Sequence, residues 1–359
     1  MDIQILHAEN PRESWDDGLR KHGGSVFLSY GWLDAIAGPG KSPLFLEFYH
    51  QDEIVGRLAG LIRPIQNSIE KQLFFYSGIA LTENSVELSR DAKKALVQYA
   101  IKNNYSRVII KSYDYYNYLP AHLKVFSEFK REECIIELGC SEEKLMKGFT
   151  KNVRRNVRKA KKNGAVFSYT HDHGFIDQFF NLTEQTKNVR ESKGYAGYRV
   201  LTMPFMGRKE MEKLLQAKTA IFFYIKYNQE IVSMQFAILE NKRAYGLLMG
   251  TSPLGYKISA PSLVFYESAN YLHKQNFHAY NLGGVPLGKN EGVKKFKLDL
   301  GSELVHSSEE TTNFLRPPLK KYNILLNIEI QLLSFPLPGR LKHLGRKFLH
   351  FLLNGKQHY

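Results

Sequence analysis

Two adjacent glycines, Gly283 and Gly284, and three closely spaced lysines, Lys294, Lys295 and Lys297, lie in the run Asn281-Leu-Gly-Gly-Val-Pro-Leu-Gly-Lys-Asn-Glu-Gly-Val-Lys-Lys-Phe-Lys-Leu-Asp-Leu-Gly301. An apolar strand that ends in glycines lets a ligand approach its backbone. A lysine that comes back to the same place can neutralise a phosphate or a developing oxyanion. The competing reading is a surface loop with solvated lysines, since glycine-rich loops are common.

A second chemical element is the basic run 149–164. Phe149, Val153, Val157 and Ala160 recur at helical spacing and give one apolar stripe, while Lys151, Arg155, Arg158, Lys159 and Lys162 take the other side. Asn163-Gly164 supplies a left-handed stop, and the alternation over 165–170 predicts a strand. A helix with an apolar stripe is docked, so its arginines are held where phosphates could meet them.

These residues need a scaffold, and the chain is long enough to provide one. Its 359 residues are 43% hydrophobic and 13% aromatic, ample for two packed domains. The net charge of +15 calls for an anionic partner: tRNA, a nucleotide- or phospholipid-linked substrate, a CoA-type cofactor or an acidic membrane surface. Cys134 and Cys140 match neither a zinc pair nor a redox motif and read as reduced thiols. The first residues lack the pattern of a signal peptide, and no apolar run is long enough to span a bilayer. The expected location is therefore cytoplasmic, with contact at the inner face of the membrane left open.

The elements come in a repeated order. Strands at 44–49, 54–62 and 72–77 form a meander, followed by a helix at 91–102 and a buried strand at 108–112. After helices at 175–189 and 209–216, strands at 220–227, 231–239 and 244–249 form a second meander, followed by a helix at 262–274 and a strand at 278–282. That is a repeat of architecture without repeat of sequence. The tail carries prolines and then a helix at 340–353 whose Leu341, Leu344, Phe348 and Leu352 share a face, able to pack on the second domain or to rest on an anionic membrane.

The run Arg155-Asn-Val-Arg-Lys-Ala-Lys-Lys-Asn-Gly164 resembles the Arg-Asn-Ile-Arg-x-Ala-x-x-x-Gly signature of the Fem-type (FemAB-like) aminoacyltransferases and their acetyltransferase-like relatives. Those proteins also carry a strand ending in Asp-x-Gly-Gly and, downstream, Phe-Lys-x-x-x-Gly; here these are Asn281-Leu-Gly283-Gly284 and Phe296-Lys297-Leu-Asp-Leu-Gly301. The resemblance covers residues 1 to about 306. It implies an α+β fold of two tandem GNAT-like (acetyltransferase-type) domains with mixed, largely antiparallel sheets, each sheet splaying apart to hold an acyl donor, plus a helical C-terminal tail. The domains are then 1–148 and 165–310, joined by the basic helix 149–164 at a cleft and followed by the tail 311–359.

The implied reaction moves an activated acyl or aminoacyl group, from acyl-CoA or aminoacyl-tRNA and without a metal, to an amine of a cell-envelope or polysaccharide precursor. Partners are an anionic small-molecule or lipid-linked precursor, tRNA where it is the donor, and lipid where 340–353 meets the membrane. The donor is already activated, so positioning and oxyanion stabilisation supply most of the acceleration. The resemblance makes Lys297 the charge-stabilising residue with Phe296 as its packing partner. Arg155 and Arg158 are expected to bind phosphates, Gly283 and Gly284 to present backbone beside Asn281, and Tyr256 to line the donor channel. Trp32, with Tyr30, is expected to close the first domain against the cleft. Asn281 departs from the family's Asp, which removes a charge, and 250–257 matches the pyrophosphate loop of CoA-using enzymes only in part. A non-catalytic nucleic-acid binder using 154–162 and a catalytically silent relative are the rival readings. His171 with His173, the tyrosines of 113–118, and Glu267 read as polar loop, packing and solvated helix respectively.

Overall fold

A computed structural model describes residues 1–66, 68–194, 203–285 and 291–324. In chain order the elements are β1 (Gln4–His7), α1 (Pro11–Lys21), α2 (Tyr30–Ile36), β2 (Ser42–His50), β3 (Glu53–Pro64), β4 (Lys71–Phe75), β5 (Ala80–Leu81), α3 (Val86–Lys102), β6 (Tyr105–Ile110) and β7 (Phe126–Glu137). There follow α4 (Glu142–Gly148), α5 (Lys151–Lys162), β8 (Val166–Thr170), α6 (Ile176–Ser192), α7 (Arg208–Gln216), β9 (Ala220–Tyr227), β10 (Glu230–Glu240), β11 (Arg243–Thr251), α8 (Pro253–Lys257), α9 (Ala260–Lys274), β12 (Ala279–Val285), α10 (Glu291–Asp299) and β13 (Glu303–Thr312). The fold is α+β, and the order meander, helix, strand occurs twice.

The meanders close through tight hairpins. Gln51-Asp52, Asn228-Gln229 and Asn241-Lys242 each place two consecutive residues at positive φ, as a two-residue turn that follows the strand twist requires. Alternation then sets the faces: in β2, Leu44, Leu46 and Phe48 are buried while Glu47 between them is only half-buried.

Two compact units result. The first takes Met1–Leu33, Ala37–Lys130 and the described residues from Ser308 on; the second takes Asp34–Ile36 and the described residues of Arg131–Ser307. In unit 1 the strands run β1-β2-β3-β4-β6, with Glu310 and Thr311 of β13 paired to Ile110 and Ile109 of β6. In unit 2 the order is β7-β12-β11-β10-β9-β8, with β11 and β12 parallel and their neighbours antiparallel.

Three expectations change here. The basic helix is not a connector: Val153, Val157 and Ala160 of α5 belong to the core of unit 2 and the helix packs on α9. The stretch from 311 does not begin a separate tail, because Thr311 and Thr312 end β13 inside unit 1. Trp32 faces no opening: it is 0% exposed in the core of unit 1, edge-on to Phe27 and Tyr76. The helix expected at 340–353 lies outside the described residues.

Candidate active site: a wedge between two parallel strands

The parallel pair of unit 2 does not stay paired. Arg243, Ala244 and Tyr245 of β11 face Ala279, Tyr280 and Asn281 of β12, and there the register ends. Both strands carry an extra residue at that point. Against β10 the pairing steps from Phe236↔Leu248 to Ala237↔Gly246, leaving Leu247 as a bulge in β11. Against β7 it steps from Asn281↔Ile135 to Gly284↔Glu133, which places a bulge at Leu282-Gly283 of β12. Bulges bend a strand and raise its twist, so two of them at one level drive the strands apart. Gly283 sits at φ +81, a conformation an L side chain enters only with strain.

Unit 1 behaves differently. There β4 and β6 pair from Lys71↔Tyr105 to Phe75↔Ile110, and the ladder continues as Lys111 N–H donates to Phe75 O and Tyr113 N–H to Tyr76 O, both at 2.8 Å. Among the described residues, the splay expected of each copy is therefore found in unit 2 and not in unit 1.

The segment after β12 supplies the charge. Residues 291–299 form α10, and just beyond its end the Ser302 hydroxyl donates to Lys297 O at 2.9 Å. Lys297 extends its ammonium to the bulge and donates to Gly283 O and Gly284 O, each at 3.0 Å. Burial lowers its pKa to about 8, while Cys134 and Glu133 hold it up and Arg131 pushes it further down. Burial in turn raises the Cys134 thiol. Phe296 meets Phe265 of α9 edge-on at 5.7 Å, which fixes the helix face that presents Lys297.

The glycine that ends the Phe-Lys-x-x-x-Gly pattern has a steric cause. Gly301 lies at φ +78, and a Cβ there would stand 2.7 Å from the Gly148 backbone. Beside it Thr150 N–H donates to Asp299 O at 3.0 Å, and the Thr150 hydroxyl caps α5 by accepting from Val153 N–H. The two sequence motifs thus meet end to end.

A buried polar chain backs the bulge. Arg131 donates through Nε and Nη2 to Glu133 Oε1 at 3.0 and 2.9 Å, and Asn281 Nδ2 donates to Glu133 Oε2 at 2.8 Å. Asn281 Oδ1 accepts from Gly283 N–H at 2.7 Å. Glu133 is 1% exposed. Sequence reading passed over Arg131 and Glu133 because Arg131-Glu132-Glu133 looks like a solvated charge run. The available signal was their two-residue spacing ahead of the apolar Cys134-Ile135-Ile136, which puts both on one face of a strand.

Of the expected site residues, Asn281, Gly283, Gly284, Lys297 and Phe296 come together. Arg155 and Arg158 are exposed on α5, bonded to Asn152 Oδ1 and Arg154 O respectively. Tyr256 is half-buried on α8 with the Lys193 ammonium 5.9 Å from its ring centroid. His171 bonds Ala220 O and His173 approaches Glu212, while Glu267 pairs with Lys161 at 2.6 Å. No cluster of metal-ligating side chains occurs among the described residues.

Chemically, strands that part leave backbone N–H and C=O groups free to pair with an extended carbonyl-bearing chain. A lysine at the parting point can stabilise negative charge that develops there.

Comparison with known proteins is consistent with this geometry. Residues 147–298 match the family model described as acetyltransferase (GNAT) domain, a range that holds the wedge, α5 and Lys297. The solved structure of FemX superposes with a TM-score of 0.67 at 14% identity, covering 86% of this chain and 96% of that one. A conserved protein of unknown function from Bacteroides thetaiotaomicron VPI-5482 does so with a TM-score of 0.54 at 13% identity, covering 87% and 99%. At such identities the likeness is one of fold. No curated protein matches the chain.

Proposed function

We infer that this chain, an acyltransferase of the GNAT/Fem type, transfers an activated acyl or aminoacyl group to an amino group of a cell-envelope or polysaccharide precursor. One observation carries the reading: within the part of the chain that matches the acetyltransferase domain, β11 and β12 part after Tyr245 and Asn281, and Lys297 stands at the parting point. The reaction this suits is attack of a neutral amine on an ester or thioester carbonyl. The donor lies along the parted strands, and the site's work is orientation and stabilisation of the tetrahedral oxyanion.

In this reading Lys297 stabilises charge, and Gly283 and Gly284 leave room for the donor by having no side chain, their carbonyls being held by Lys297 and not by the donor. Arg155 and Arg158, free of acidic neighbours in their recorded bonds, attract the phosphates of a CoA or tRNA donor or of the precursor. The resemblance to Fem-type enzymes favours an envelope acceptor, and the charge of +15 suits an anionic, lipid-linked one at the inner face of the membrane. No helix among the described residues is long and apolar enough to cross a bilayer.

The test is mass spectrometry of a precursor pool incubated with the protein and either acyl-CoAs or charged tRNA. The mass gained by the acceptor identifies the group moved, and Lys297→Met should abolish that gain while the protein stays folded. Full turnover by the variant would remove Lys297 from the mechanism, and no mass gain with either donor class would refute the reading.

A further inference from the structure

An aspartate at position 281 would give the wedge a carboxylate on β12, and this chain has Asn281 instead. The nearest carboxylate lies one strand away, on β7. Its contacts have a direction. Gly283 N–H can only donate, so the amide oxygen of Asn281 must face it, and the amide NH2 is left to face Glu133. A carboxylate only accepts, so Glu133 enforces that orientation while its other oxygen takes both Arg131 donors. Burying a carboxylate to 1% exposure is costly unless such partners meet it.

We propose that Glu133 is a positioning residue of the wedge: acting through Asn281, it ties down the Gly283 bulge on which the Lys297 ammonium rests, and so supplies from β7 the charge that position 281 lacks. The inference rests on the wedge of unit 2 being the reacting site, but not on which donor or acceptor uses it.

Donor and acceptor polarity makes the arrangement exclusive. Asn281→Asp alone sets two carboxylates against each other at the place of a 2.8 Å bond. Glu133→Gln alone sets an amide NH2 against an amide NH2, because its oxygen is claimed by Arg131. The two changes together restore every contact named above with its polarity reversed between strands. The glutamine donates to the aspartate, the aspartate still accepts from Gly283 N–H, and Arg131 still donates to the glutamine oxygen.

The experiment is this double-mutant cycle on the full chain, read two ways. In chemical unfolding at neutral pH each single variant should lower the folded-to-unfolded ratio by about tenfold or more, since a buried polar group loses its partner. The pair should return to within about threefold of the parent. In parallel, the NMR titration of carbon-labelled, unmodified lysine side chains, with the Lys297 Cε resonance assigned by its absence in Lys297→Met, should place its midpoint near 8 in the parent. Glu133→Gln alone should lower that midpoint, and the pair should restore it. A residue that only fills space would give additive losses and no restored midpoint. Additive losses, or single variants indistinguishable from the parent, overturn the proposal. If a single variant does not fold, a folded double variant is itself the rescue, and a double variant that also fails to fold overturns it. Neither readout uses turnover, so the failure of this proposal is separable from failure of the transfer reaction.

Discussion

The Lys297 clamp predicts a pH-dependent difference in stability between the parent and Lys297→Met. Burial brings the ammonium from an ordinary 10.5 to about 8, while two backbone carbonyls at 3.0 Å hold it in place. Between those two values the unfolded chain binds more protons than the folded one, so the lysine's contribution to stability rises with pH through that window. Below it the charged lysine must be buried and the penalty is fully present; above it the amine is neutral in both states and the penalty is gone. From about pH 7 to about pH 10 the gain is on the order of 2–3 kcal/mol. Lys297→Met cannot titrate, and its loss of the two carbonyl bonds is an offset of about 1–3 kcal/mol that does not vary with pH. Guanidinium unfolding of both proteins across that range isolates the effect, because titrations common to the two cancel in the difference. The parent should gain on the variant by the stated amount as pH rises. A difference flat to within about 0.5 kcal/mol would mean that Lys297 titrates as a solvated lysine, and the buried clamp would be refuted.

Three other perturbations test separate parts of the structure. Gly283→Ala, at φ +81, should cost about 1 kcal/mol or more in chemical unfolding, from backbone strain at the bulge. Arg155→Ala with Arg158→Ala should leave unfolding within about 0.5 kcal/mol per site, since both are exposed, yet shorten retention on an anionic matrix and weaken binding of a phosphate-bearing donor. In unit 1, Lys93 donates to Glu310 at 2.6 Å with both side chains buried; Lys93→Met strands the carboxylate and should cost about 3–5 kcal/mol, and adding Glu310→Leu should recover most of it in the same unfolding assay.

What the sequence disclosed, it disclosed through local rules. Paired turn residues such as Asn228-Gln229 announce their hairpins, and the stripe Val153, Val157, Ala160 with its Asn163-Gly164 stop announces α5 within a residue or two of where it lies. That a lysine of 294–297 returns to the glycines was legible from the run, and the Phe-Lys-x-x-x-Gly resemblance singled out Lys297. Non-local facts were not. Nothing at Leu247 marks a bulge, because the bulge arises from its register with β10. Glu133 becomes a buried partner only once β12 lies beside β7. Trp32 was misread for a related reason: helical spacing gives an inward face but not what that face meets, and here it meets Phe27 and Tyr76.

The contrast between the two copies follows from side-chain size at the same architectural point. In unit 1 the end of the parallel pair is surrounded by large rings, with Phe74 and Trp32 edge-on to Tyr76 and Phe27 within ring contact of Tyr76 and Tyr113. Those rings bury wide apolar faces, and opening the strands would expose them and break the bonds that Lys111 and Tyr113 make to β4 and its extension. In unit 2 the same point holds Gly246, Gly283 and Gly284, which offer no apolar face to hold the strands together. Lys297 and the Arg131, Glu133 and Asn281 chain then fix β12 in its diverging course, bonding the Gly283 and Gly284 carbonyls and the Gly283 N–H. One architecture is therefore sealed by aromatic burial in one unit and propped open by a buried charge network in the other, so residues able to act on a carbonyl are to be sought along the open strands.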